Sequence, residues 1–308
     1  MSRIEVRSLC KQFGPRTAVE GLDFDIAAGE VFGLLGPNGA GKTTTVRMLT
    51  GLLRPSSGRA MVCGVPLDGD GEALRSRVGL LTEQPGLYDR LTAHENLRFF
   101  LKLHHRDTPE AWAAARRWMQ RFGLAGREDD KCGTFSKGMR QKLALIRALL
   151  HDPLALFLDE PTSGLDPESA RAVREAVGEL AAEGRTVVLC SHNMSEVERL
   201  CARVAVVKGR LLAVGTVPEL RRQTGVVEIH VEGSAGAAGE ALGPIVPPCV
   251  WVAEGHALRV NLAGGVGIPE VVALLAQARV RIHAVLPAQR ALEDVYLELT
   301  RGTETEAR

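Results

Sequence analysis

The residues Gly36, Pro37, Asn38, Gly39, Ala40, Gly41, Lys42, Thr43 and Thr44 follow the phosphate-loop pattern: a glycine, four variable positions, then Gly-Lys-Thr. Glycine backbone can turn successive N–H groups inward around phosphate oxygens, and a helix that starts there adds its positive end. Lys42 is expected to act as a point charge on β- and γ-phosphates. The Thr43 hydroxyl is expected to ligate magnesium, with Thr44 as a secondary phosphate contact. A dinucleotide fingerprint is not met, because after Gly39 and Gly41 its third glycine position is Thr44.

A second set of reactive residues lies far downstream. Asp159 and Glu160 end the apolar run LALFL, so both carboxylates emerge at the C-terminal edge of a sheet, where α/β proteins form their ligand crevices. Magnesium prefers oxygen ligands and keeps several waters, so Asp159, Thr43 and phosphates make a sensible set. Glu160 is then the residue expected to polarise an attacking water. Taken alone, adjacent acids at a strand end are a solvated turn, and the phosphate loop upstream is what favours chemistry. His192 follows TVVLC in the same manner, where an imidazole can bond a γ-phosphate or orient the water. His94, His104, His105, His151, His230, His256 and His283 show no ligand spacing.

These side chains meet only if a particular set of elements holds them. RIEVRSL, LDFDI and EVFGLLG alternate like strands, with the turn AAGE between the last two. TTTVRMLTGLL continues the phosphate loop as a helix, giving the strand–loop–helix context that the motif requires. RAMVCGV and RVGLLTE read as further strands. From about 91 to 150 the pattern turns helical, with apolar residues at three- and four-residue steps. Within it Ser136 is placed to cap KGMRQKLALIRALL, whose buried stripe would be Met139, Leu143, Ile146 and Leu150. LALFLDE, PESARAVREAVGELAAEG, TVVLCSH, MSEVERLCA and RVAVVKG then alternate strand and helix, as a helix-covered parallel sheet does.

Composition sets wider bounds. At 308 residues, 45% apolar and 24% charged, the chain can bury two globular cores. The net charge of +1, without a block of basic residues, offers no long-range attraction for nucleic acid or anionic lipid. Cys10, Cys63, Cys132, Cys190, Cys201 and Cys249 are scattered and read as reduced, mostly buried small hydrophobes of a cytosolic protein. MSRIEVRSL has no apolar leader, and no run reaches the ~18 apolar residues of a membrane-spanning helix. Near Thr224 the texture changes to strand-helix-strand-strand-helix-strand, a small α+β unit for which a ferredoxin-like arrangement is one solution. The expected division is 1–222 for a nucleotide-binding domain and 223–308 for an accessory domain closed by the helix ALEDVYLELT.

Together these motifs resemble the nucleotide-binding subunit of an ABC transporter over about residues 3–220. FSKGM resembles the signature motif, usually LSGGQ: Ser136 and Gly138 match, while Lys137 and Met139 depart from it. The resemblance implies a mixed-sheet phosphate-loop ATPase with a helical subdomain, ATP and Mg2+ as cofactors, and a homodimer. In that dimer the signature of one subunit faces the γ-phosphate held by the other, and SGLD (Ser163 to Asp166) resembles the loop that crosses the same interface through Asp166. Phe13 resembles the aromatic that stacks on adenine; its bland alternative is a buried strand aromatic. Glu83 stands where the family carries a glutamine, with Gln84 next to it. GLYDRLTAHENL matches the family's contact with its membrane permease, and its residues also read as a loop and helix start capped by a Thr92–Glu95 box.

SKGMRQK, TEQPGLY and ALEDVYLELT resemble the type-2 exporter branch, which includes daunorubicin-resistance-like ATPases. The implied function is ATP hydrolysis powering export through a separate permease, by a subunit held peripherally at the cytoplasmic membrane face without nucleic acid. The alternative is a soluble ABC-type ATPase acting on the ribosome or DNA, but such chains usually carry two nucleotide-binding halves or a long coiled coil. A phosphotransferase kinase has no use for FSKGM or SGLD.

Overall fold

The computed structural model describes residues 2–69, 71–242, 251–262 and 267–305. In chain order the elements are β1 (Ser2–Phe13), β2 (Arg16–Ala27), β3 (Val31–Leu35), α1 (Lys42–Leu49), β4 (Ser57–Val62), β5 (Val65–Pro66), α2 (Gly71–Arg75), β6 (Val78–Leu81), α3 (Ala93–Leu103), α4 (Pro109–Arg121), α5 (Lys137–Leu149), β7 (Ala155–Asp159), α6 (Pro167–Ala182), β8 (Thr186–Ser191), α7 (Met194–Leu200), β9 (Arg203–Lys208) and β10 (Arg210–Thr216). The chain continues with α8 (Val217–Arg221), β11 (Arg222–Val231), α9 (Ala235–Leu242), β12 (Trp251–Glu254), β13 (Ala257–Asn261), α10 (Ile268–Gln277), β14 (Ile282–Gln289) and α11 (Leu292–Thr305).

Strands β3, β7 and β8 are buried along their whole length, as apolar runs must be when both faces of a parallel sheet are covered. They lie side by side in the order β3-β8-β7-β6, all parallel. β9 adds to the other side of β3, and β10 turns back antiparallel on β9. A single rung from β10 to β2 joins this parallel part to the antiparallel β5-β4-β1-β2 part, giving a sheet of ten strands among the described residues. The expected elements are therefore present. β10 is an addition to them, half-exposed along its length and lacking the clean alternation that marks β1 and β2.

Parallel register is what brings the reactive residues to one edge. Leu35, the last residue before the phosphate loop, pairs with Ser191, and Asp159 pairs with Cys190. The helical stretch supplies α3, α4 and α5. α3 opens with the Thr92–Glu95 capping box, in which Thr92 Oγ1 accepts from the Glu95 amide at 3.1 Å and Glu95 Oε2 from the Thr92 amide at 2.8 Å. In α5, Leu143, Ile146 and Leu150 are buried, whereas Met139 is only partly so.

Contacts gather the chain into two units: residues up to Val217 together with those from Glu298 onward, and Pro218–Leu297. The second unit contains a four-stranded antiparallel sheet in the order β12-β13-β11-β14, with a core of Val227, Ile229, Leu258, Val260, Val271 and Leu275. The run β11-α9-β12-β13-α10-β14 with that strand order is the ferredoxin-like arrangement. Cys63, Cys132, Cys190 and Cys201 are buried free thiols, Cys10 is partly exposed, and Cys249 lies outside the described residues. Burial pushes the Cys201 thiol up to about 12, and those of Cys63 and Cys132 to about 11, so these three behave as inert hydrophobes.

Candidate nucleotide site

The turn after β3 is built from glycines for steric reasons. A Cβ on Gly36 would stand 2.4 Å from the Val207 carbonyl oxygen and 2.9 Å from the Ala40 methyl. Gly41 has φ +93°, and a Cβ there would stand 2.6 Å from the Ala18 carbonyl. α1 begins at once, with no side chain capping its first turn and no acidic residue in it. Its unpaired amides and dipole therefore form a ready anion seat. Lys42 is buried at 7% exposure, and its Nζ donates to Gly36 O at 2.6 Å and Pro37 O at 3.1 Å. The ammonium is thus held at the mouth of the loop.

A cleft of about 360 Å³ runs over this loop. Its walls carry Phe13 and Arg16 on one side, Pro37 to Thr44 below, and Glu83, Asp159, Glu160 and His192 on the other. Thr43 Oγ1 donates to Asp159 Oδ2 at 2.8 Å, so the hydroxyl and the carboxylate expected to share a cation already touch. Burial pushes the Asp159 carboxyl up from its ordinary range, opposed by the Thr43 hydrogen bond and by Lys42 and supported by Glu160 and Glu83.

Glu160 sits at φ +51°, a left-handed conformation that is strained for a residue with a side chain. Its amide donates to Cys190 O at 2.9 Å. Its Oε1 accepts from the His192 amide at 3.0 Å and lies 2.8 Å from His192 Nδ1, which donates in the tautomer with its proton on Nδ1. His192 therefore meets Glu160, and its Nε2 remains for a second group. Phe13 is 49% exposed at the end of β1, with Lys11 Nζ 5.2 Å from its ring centre, which is not the setting of a buried strand aromatic. Arg16 faces Phe13 across the hairpin and was not among the residues expected here. A cation just after a Phe-Gly-Pro turn was its signal.

Ser136, Gly138 and Asp166 do not line this cleft. Ser136 Oγ accepts from the Met139 amide at 3.2 Å and so caps α5 as expected. Asp166 caps α6, its Oδ1 accepting from the Ser169 amide at 2.8 Å, and this bond lowers its carboxyl below the usual range. A Cβ on Gly138 would lie 3.0 Å from Ser169 Oγ, so this glycine lets the starts of α5 and α6 approach each other. Among the described residues no three His, Cys, Asp or Glu side chains group as a metal cage.

Comparison with known proteins agrees with this geometry. Residues 19–163 match the family model described as ABC transporter, and residues 131–198 match a shorter one described as AAA domain, putative AbiEii toxin, Type IV TA system. The daunorubicin resistance ATP-binding protein DrrA3 of Streptomyces coeruleorubidus is 38% identical over 299 residues, covering 94% of this chain and 93% of that protein. The linearmycin resistance ATP-binding protein LnrL of Bacillus subtilis is 34% identical over 307 residues, covering 97% and 99%. A solved ATP-binding subunit of an ABC transporter superposes with a TM-score of 0.67 at 32% identity, covering 71% of this chain and 92% of that one. Relatedness along almost the whole length, with the phosphate loop and acid pair gathered in one cleft, makes this chain a member of the ABC transporter ATP-binding protein family.

Proposed function

We propose that the chain is the ATP-hydrolysing subunit of an exporter, acting as a homodimer on a separate membrane permease at the cytoplasmic face of the membrane. The observation that carries the reading is the single cleft holding the phosphate loop, the Thr43–Asp159 pair and the Glu160–His192 pair. Relatives named for daunorubicin and linearmycin resistance support export. No described helix is long and apolar enough to cross a membrane, which is compatible with a transport path in another chain. We assign ATP work to residues 1–222 and an accessory role to 223–308.

In this reading the adenine stacks on Phe13, and the triphosphate lies over the amides of Gly36 to Thr44 with Lys42 turning from loop carbonyls to phosphate oxygens. The donor set suits magnesium: one hydroxyl and one carboxylate 2.8 Å apart, with phosphates and water completing the shell. When bound, the ion neutralises charge on the transferring phosphate. Glu160 takes the proton of the attacking water, and His192 holds its carboxylate through Nδ1–H; Nε2 can donate to the γ-phosphate only when the ring carries a proton on both nitrogens. Glu83 borders the same space as a further oxygen ligand for ion or water. Ser136, Gly138 and Asp166 serve the nucleotide of the second copy.

The test is hydrolysis by the purified chain alone and with its co-expressed permease. Wild type is expected to hydrolyse ATP and to co-purify with a polytopic membrane protein. Glu160→Gln should keep ATP binding and lower turnover by roughly 10²–10⁴-fold, the usual worth of a general base. Hydrolysis by Glu160→Gln near the wild-type rate removes Glu160 from that role, and a chain that never associates with a membrane protein refutes the transport reading.

A further inference from the structure

Behind Glu160 stands a second carboxylate that the hydrolysis scheme leaves unused. Glu196, in the first turn of α7, is only 4% exposed. Its Oε1 accepts from Thr162 Oγ1 at 2.7 Å and its Oε2 from Ser191 Oγ at 3.1 Å. No ion pair reaches it among the described residues. Arg174 acts on it only through space, and burial pushes its carboxyl up from the ordinary range. A buried carboxylate held by hydroxyls alone is costly, and an apolar side chain would fill the space more cheaply. Such groups cluster at functional sites, so a use for this one is worth seeking.

The two hydroxyls it holds are the two that frame Glu160. Ser191 is fully buried, and its Oγ lies 3.4 Å from Glu160 Oε2 while accepting the Asn193 amide at 3.0 Å. Thr162 belongs to the turn that leaves Glu160, where the Ser163 amide donates to Glu160 O at 3.2 Å and the Leu165 amide to Thr162 O at 3.2 Å. That turn carries the left-handed Glu160 and leads directly into SGLD. Ser191 has one proton, and Glu196 is its nearer acceptor. This orients the hydroxyl, turns a lone pair to the Asn193 amide and so fixes the His192–Asn193 backbone, whose His192 amide donates to Glu160 Oε1.

We propose that Glu196 is a positioning residue for ATP hydrolysis: from α7 it braces Ser191 and Thr162, and through them fixes the Glu160 carboxylate and the strained turn that carries it. The proposal rests on the role given above to Glu160. Glu196→Gln keeps the shape but turns an amide donor toward one of the two hydroxyls, which must then accept; its proton is released and its orientation is lost. Thr162→Val removes the other hydroxyl outright, and Thr162→Ser restores it.

The test measures ATP turnover and equilibrium ATP binding of the full chain, with its permease, for these variants beside Glu160→Gln. Glu196→Gln and Thr162→Val should lose about ten- to hundred-fold in kcat, the usual effect of removing a group that orients a reactive one. ATP affinity and KM should stay within about twofold, and Thr162→Ser should recover most of the rate. If Glu196 acts through Ser191, adding Ser191→Ala to Glu196→Gln should cost no more than the worse single change, whereas independent effects would multiply. Wild-type kcat per folded molecule in Glu196→Gln and Thr162→Val, beside an inactive Glu160→Gln, overturns the brace alone. Equal turnover by wild type and Glu160→Gln overturns the brace together with the reading beneath it.

Discussion

Replacing His151 should remove a large part of the acid sensitivity of this protein. The His151 ring stacks on His104 with centres 4.0 Å apart and planes 4° off parallel. Its Nε2 donates to Val78 O at 2.9 Å, and its Nδ1 is buried without a hydrogen-bond partner. A proton arriving on Nδ1 would therefore find no acceptor. Burial, and next the neighbouring His104, push the pKa of His151 down from 6.5 to about 4. A folded-state pKa below the unfolded value means that the unfolded chain takes up the proton first as pH falls. Stability is then complete above about pH 6.5 and drains away toward pH 4. The full difference is worth about 3 kcal/mol at 1.36 kcal/mol per pH unit. By pH 5.5 the loss reaches about 1.4 kcal/mol, or roughly 3–6 °C in Tm for a domain of this size. Thermal unfolding of wild type and His151→Phe at pH 7.5 and 5.5 measures it. The phenyl ring keeps the stack and loses the Val78 bond equally at both pH values, and His104, whose own pKa burial lowers, is present in both proteins. The wild-type acid-induced drop in Tm should exceed that of the variant by those few degrees. Drops that agree within 1 °C refute the assignment.

The remaining predictions concern the nucleotide cleft. Lys42→Ala removes a charge-assisted contact worth about 1.5–3 kcal/mol, so the ATP dissociation constant should rise roughly ten- to hundred-fold, and an unchanged constant undoes the phosphate-loop assignment. Gly36→Ala drives a methyl against Val207 O and Ala40, which should cost about 1–3 kcal/mol in unfolding experiments and weaken ATP binding as the loop shifts. Phe13→Ala should weaken ATP by about 1–3 kcal/mol, the value of one base stacked on an aromatic ring, without altering competition by inorganic triphosphate. Equal losses for both ligands would remove Phe13 from base recognition.

Residues that work from the ends of apolar strands are legible in the sequence, because strand and reactive side chain occupy one short segment. Gly36 to Thr44 after β3, Asp159 and Glu160 after β7, and His192 after β8 are all of this kind. Parallel pairing then brings those segments to a common edge. Arg16, Thr162 and Glu196 carry no such mark, and Ser191, though it ends β8, is passed over because His192 beside it is the more reactive residue. Thr162 and Glu196 are 34 residues apart in the chain and meet only when α7 folds back onto β8. β10 escapes for a related reason: its residues are half-exposed on both faces, so no period of two betrays it. The same limit applies to His151, whose solitary spacing gives no sign of the stack with His104.

The charges at helix starts bear on the proposal that a second copy completes the site. α3, α4, α6, α10 and α11 each have an acidic residue in the first turn, the arrangement that a helix dipole favours. α1 and α5 instead begin on a lysine, Lys42 and Lys137, with no acid nearby in the first turn. Cation and dipole then reinforce each other, an arrangement that disfavours the helix until an anion arrives. For α1 the phosphate loop of the same chain explains it. For α5 the nearest acid is Asp166, whose carboxylate lies beside Gly138, and the cleft of the same chain brings no phosphate to it, since Ser136 and Gly138 lie outside that cleft. In the two-copy reading the start of α5 meets the triphosphate held by the other copy, and the same charge that disfavours α5 in an isolated chain becomes attraction between two loaded ones. On that proposal nucleotide would be the glue of the dimer, and its hydrolysis, which removes the γ-phosphate, would release the contact.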